Sequence, residues 1–185
     1  KIVYPDTWTA HSFPKTSFQE YDKIGLYVIN AEGNLEVENA KFTYYKRYDG
    51  SGYGWAVDNN SDVQLPYGCR YFAYYPYSAS MTKGEGTVIT ATEFFKTKIS
   101  SLSNDNVVAD QSNKETLLAQ DFQVATGTVG PEAGSIVFNM EHQVGLAVLD
   151  LKSKEILETR QFKNNNYMYY YGQGTTEPVE GTDYT

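Results

Sequence analysis

The chain has 185 residues, enough for one domain to bury roughly two-thirds of its unfolded surface without help from a metal or disulfide. With 15 Lys and Arg against 23 Asp and Glu the net charge is −8, which disfavours binding to nucleic-acid phosphates or to an anionic bilayer. Cys69 is the only cysteine, which excludes an internal disulfide and a cysteine-based metal cluster, and no apolar stretch approaches the roughly 18 residues of a membrane-spanning helix.

The 17 Tyr, 9 Phe and 15 Gly suit pleated, half-exposed strands joined by frequent turns. The first twenty residues carry Pro5 and Pro14 among Ser and Thr and read as an extended segment, with one short strand at 2–4. Residues 23–30 form the first clear strand: Ile24, Leu26 and Val28 share one face, Tyr27 and Ile29 the other. A turn at 31–34 leads to a strand at 41–47, and Gly50, Gly52 and Gly54 loosen the loop that follows. Trp55 to Val57 resumes a strand, DNNSD at 58–62 turns the chain, and 63–65 is a further short strand. RYFAYY at 70–75 is a strong strand stopped by Pro76.

Residues 78–116 are polar and loosely patterned, with an expected strand at 87–90 and a strand or helical turn at 92–100. Phe122 and Val124 alternate within 117–128, which reads as a strand, and Gly130, Pro131 and Gly134 break it. The most apolar segment, 135–151, reads as a long strand bent near Glu141 and His142. Central Gly145 and recurrent β-branching argue against a helix. Two further strands are expected at 155–163 and 167–171. At least eight short strands, with turn signals at intervals of roughly 8–12 residues, predict an all-β sandwich. The expected divisions are an extended segment at 1–20, a β-sandwich at 21–130, and closing strands or part of a second β-sandwich at 131–185. The opening at Lys1 without Met suggests a trimmed, mature form, and the ending a truncated one.

Four stretches, in order, resemble the fimbrillin family of Bacteroidales surface proteins. They are FQEYDKIGLYV at 18–28 (family "F…GD.IG.Y", with Tyr21 where Gly is usual), RYFAYYPY at 70–77 (family "DFYAYYPY"), DQSNKETLLAQDFQVA at 110–125, and IVFNMEHQVGLAVLDL at 136–151. In the last, Gln143-Val144-Gly145 replaces the usual Ala/Leu-Ser-Lys, and the tail after Lys152 matches poorly. The resemblance implies a transthyretin-like Greek-key β-sandwich, lipoprotein export to the outer membrane with the lipid anchor absent from this chain, protease trimming and polymerisation by strand exchange. The partners it implies are other fimbrial subunits, with a host surface protein or glycan as adhesion target. The segment from Lys1 to Phe18 is the candidate for a removable piece.

No nucleophile elbow, HExxH or phosphate-binding loop occurs, so no catalytic, cofactor or metal residues are expected. DNNSD is half of a calcium loop without its downstream Glu. Asp121 and Glu141 read as solvated or turn-capping carboxylates, His142 as a hydrogen-bonded histidine at the bend, Cys69 as a small buried hydrophobe, and Arg47 and Arg160 as ordinary surface arginines. The alternative function is carbohydrate binding on a platform drawn from Tyr44, Tyr45, Tyr53, Trp55, Tyr74, Tyr75, Tyr77 and 169–171.

Overall fold

The computed structural model of the chain describes residues 1–4, 17–58, 63–102, 118–132 and 134–144. Its strands are β1 (Ile2–Val3), β2 (Lys23–Ile29), β3 (Leu35–Lys46), β4 (Tyr53–Val57), β5 (Arg70–Tyr75), β6 (Gln123–Val129), β7 (Ile136–Asn139) and β8 (Glu141–His142). Two short helices, α1 (Ala91–Phe94) and α2 (Lys96–Leu102), follow β5. The strands form one mixed sheet in the order β1-β7-β6-β5-β2-β3-β4, and β8 also pairs with β6. Among the described residues only the β1–β7 pairing is parallel. This is an all-β architecture with little helix, consistent with a sandwich in which a single sheet curls over itself.

Alternation along the central strands produces two apolar clusters. Ile24, Leu26 and Val28 of β2 join Tyr71, Ala73 and Tyr75 of β5, Ala125 of β6 and Phe138 of β7 on one face. Tyr27 and Ile29 join Phe72, Tyr74, Phe122 and Val124 on the other. The second face is covered by Ala91 and Phe94 of α1 and by Phe95, with Ile99 and Leu102 of α2 packed alongside. No helix is needed on the first face. There Ile2 and Ile136, from one end of the strand order, and Phe42 and Trp55, from the other, pack on the same cluster. The sheet therefore curls until its two ends share a core.

Several expectations are corrected. Residues 87–90 form no strand: Thr90 caps α1, its hydroxyl accepting from the Glu93 amide while the Glu93 carboxylate accepts from the Thr90 amide. The 92–100 ambiguity resolves as helix, because Phe94 and Phe95 must both reach the second face. Residues 63–65 form no strand, although Val63 packs on the first cluster. The strand expected over 117–128 begins at Gln123, and the one expected at 41–47 extends back to Leu35. The long final strand pauses at Met140, yet β7 and β8 keep a single register against β6, from Val129↔Ile136 through to Gln123↔His142. The strands expected at 155–163 and 167–171 lie outside the described residues.

Two backbone positions show what the resemblance to "GD.IG.Y" rests on. Tyr21 sits at φ 72°, a left-handed conformation that costs a side-chain-bearing residue about 1–2 kcal/mol relative to Gly. Gly25 lies flat against the ring of Tyr74, so a Cβ there would strike Tyr74 Cε1. That ring cannot withdraw. Its hydroxyl donates to Asn39 Oδ1 at 2.7 Å or to the Ser78 carbonyl at 2.8 Å, and accepts from the Ser78 amide at 3.1 Å.

Gly25→Ala is expected to destabilise the domain by about 1–3 kcal/mol through overpacking, seen as a lower urea midpoint at unchanged slope. A pH prediction follows from the buried phenols. Burial pushes Tyr27 from 10.0 up to about 12, and pushes Tyr74 and Tyr75 higher still. A folded-state pKa above the unfolded one favours the protonated fold. Stability is therefore fully present below pH 10.0 and is lost as pH rises through the folded values. Tyrosinate absorbance from these residues should appear together with loss of the near-ultraviolet dichroism; their ionisation with the fold intact would contradict it.

Candidate functional site

The first face ends in a half-open region where both ends of the sheet meet. β1 is the shorter of the two strands that end the order. It contributes two residues, paired in parallel at Ile2↔Phe138 and Val3↔Asn139, an arrangement slightly less stable per residue than antiparallel pairing. The Phe138 amide donates to the Lys1 carbonyl at 2.7 Å and the Met140 amide to the Val3 carbonyl at 3.0 Å.

Immediately after β1, Tyr4 enters a buried polar cluster. Asp121 is 2% exposed and stands just ahead of β6. His142 Nδ1 lies 2.5 Å from Asp121 Oδ1, and since a carboxylate only accepts, Nδ1 carries the hydrogen. Gln123 Nε2 donates to Asp121 Oδ2 at 2.7 Å, and the Tyr4 hydroxyl donates to the same oxygen at 3.3 Å. Register explains the meeting: Tyr75, Gln123 and His142 are directly opposed on β5, β6 and β8. The Tyr75 hydroxyl donates to Asp22 Oδ1 at 3.2 Å. Burial, reinforced by the negative field of Asp121, raises the Tyr4 phenol well above its ordinary pKa.

Phe18 links this cluster to the opposite end of the sheet. Its ring centroid lies 5.0 Å from Tyr4, 5.0 Å from Trp55 and 5.7 Å from Tyr75, each near edge-to-face. Beside it opens a cleft of ≈ 470 Å³, whose apolar walls include Ile24, Leu26, Phe42, Trp55, Ile136 and Phe138, with Lys1 and Arg47 as its charged residues.

The residues singled out in the sequence fall into distinct places. His142 is hydrogen-bonded beside the strand interruption, as expected. Asp121 is neither solvated nor a turn cap but the centre of the polar cluster, because β6 and β8 bring His142 and Gln123 to it. Glu141 is exposed on the neighbouring position of β8. Cys69 is half-buried against the first cluster, where burial and then the negative fields of Glu36 and Glu32 raise its thiol pKa. Arg47 is exposed and lies across Gly54.

The aromatic platform is split. Tyr74 and Tyr75 are core residues, and exposed Tyr45 pairs with Tyr21 away from the cleft lining. Tyr44, Tyr53 and Trp55 do line the cleft, Tyr44 stacking on Tyr53 at 5.4 Å and packing on Trp55 at 5.0 Å. Within the half calcium loop, Asp58 accepts from the Thr43 hydroxyl at 2.7 Å and pairs with Lys41 at 2.8 Å. Asn59 to Asp62, Arg160 and residues 169–171 lie outside the described residues. Tyr4, Gln123 and Asn39 were not singled out in the sequence as members of any site. Each is an ordinary polar residue until register and the curl of the sheet give it a partner.

No protein-family model matches the sequence, and no curated protein matches it. A crystal structure of a fimbrial protein from Bacteroides ovatus ATCC 8483 is similar, with a TM-score of 0.50 and 26% identity, over 69% of this chain and 24% of that one. The chain thus spans about a quarter of that protein's length. The likeness supports a fimbrillin-like fold.

Asp121→Ala would leave the Nδ1 hydrogen of His142 and the amide of Gln123 buried without this acceptor. A loss of about 1–3 kcal/mol per orphaned donor is expected in urea unfolding, with Asp121→Asn, which keeps an acceptor oxygen, losing less.

Proposed function

We propose that this chain is a subunit or accessory protein of a cell-surface fimbria and polymerises by β-strand addition, the segment from Lys1 to Phe18 being the removable piece. The observation that carries this reading is β1 itself. A two-residue parallel strand closes the edge of β7 and supplies Ile2 to the wall of an apolar cleft. Its departure would leave the Phe138 and Met140 amides and that apolar wall open to an extended segment from another subunit, which can satisfy both. The likeness to a fimbrial protein supports the same class. On this reading the protein acts by assembly, sits on an outer-membrane surface appendage, contributes to adhesion and performs no catalysis.

A second reading is favoured by the Tyr44, Tyr53 and Trp55 rings in the cleft, which offer flat faces for sugar rings. One experiment separates the two. Cutting the chain between Pro5 and Phe18 should convert monomers into SDS-resistant ladders, with filaments visible by electron microscopy. A cut chain that stays monomeric, while binding a glycan array in a manner abolished by Trp55→Ala, would displace the fimbrial reading in favour of the sugar module.

A further inference from the structure

The chemistry around Tyr4 specifies more than an empty edge. Ile2 and Tyr4, two positions apart, lie on the same side of an extended chain. Ile2 enters the apolar cluster, whereas the Tyr4 hydroxyl reaches Asp121 Oδ2, an acceptor inside the protein. Gln123 is 0% exposed. Its amide nitrogen donates to Asp121, and among the described residues its Oε1 is buried with no hydrogen-bond partner. A segment lying along β7 therefore meets apolar surface first and then two buried acceptors, only one of which Tyr4 fills.

We infer that the Asp121–Gln123 pair is a selection point for whatever segment occupies the β1 position, requiring an apolar residue and, two positions later, a side-chain hydrogen-bond donor. With Tyr4 in place, the same contact latches the chain's own β1. The inference rests on the strand-addition reading for its partner, a strand of another subunit carrying this apolar-x-donor pattern. The latch itself stands on the geometry alone. An apolar residue at the second position would leave Asp121 Oδ2 short of one donor inside the protein, a penalty an exposed edge would not impose.

The test uses the full chain with Tyr4→Phe, which keeps the ring contacts to Phe18 and His142 and removes only the hydroxyl. The Phe138 and Met140 amides, which donate to β1 carbonyls, report its opening by hydrogen exchange. Their exchange should quicken roughly two- to tenfold, the effect of one net hydrogen bond, while amides of β2 and β5 stay unchanged. Unaltered exchange at Phe138 and Met140, or an equal rise across the sheet, would overturn the latch. The selection point is scored separately on chain cut between Pro5 and Phe18 and freed of its β1 fragment, offered the free peptide of residues 1–5 with Tyr or with Phe at position 4. Tighter binding of the Tyr peptide is expected, and equal binding of the two would overturn the selection. Polymer formation by the cut chain is followed in parallel: quickened local exchange with no polymer would remove the strand-addition reading and leave the latch standing.

Discussion

The structure depends on two adjacent strands, β2 and β5, that are buried on both faces. RYFAYY of β5 has five successive buried residues, and β2 has six. Such strands cannot leave a face to water, because each fully buried large side chain represents about 1.5–3 kcal/mol of transfer free energy. One face takes α1, Phe95 and α2 as its cover. The other is closed by the sheet itself, which explains why β1 and β4, the two ends of the strand order, contribute to one cleft.

That closure determines where chemistry can occur. The middle of the sheet is fully committed to packing, so polar function is confined to its margins. The margins are held by tyrosines whose rings belong to the core and whose hydroxyls reach outward. Tyr27 donates to the Met81 carbonyl at 3.4 Å, Tyr71 to the Pro66 carbonyl and Tyr75 to Asp22. Arg70 does similar work at the other end of β5, its guanidinium donating to the carbonyls of Gly86 and Val88 at 2.6 Å each. The tyrosine richness is thus largely a means of tying loops to a two-faced sheet, each ring burying area while its hydroxyl satisfies a main-chain or carboxylate acceptor. Of the cleft-lining tyrosines, Tyr53 is exposed and Tyr44 half-buried.

The site follows the same logic. Asp121 is tolerated inside the protein because three donors converge on it, from β6, from β8 and from the residue after β1. Two of these come from the paired strands β6 and β8 and one from the residue that follows the two-residue parallel β1.

The sequence by itself determined the strands whose side chains alternate or run apolar without a break. Residues 23–30 and 70–75 were legible, including which residues of β2 face which side, because period-two patterning reports burial directly. It also determined the resemblance to fimbrillins and the absence of sequence motifs for catalysis. What it could not determine was anything requiring two distant segments to meet. Residues 92–100 read equally as a strand or a helical turn until the second face demands Phe94 and Phe95, and Asp121 reads as solvated or turn-capping until register sets Gln123 against His142. Tyr4 is an ordinary tyrosine until the curl of the sheet carries its hydroxyl to a carboxylate 117 residues away. Patterning fixes which face of a strand is buried; only tertiary closure decides what that face meets.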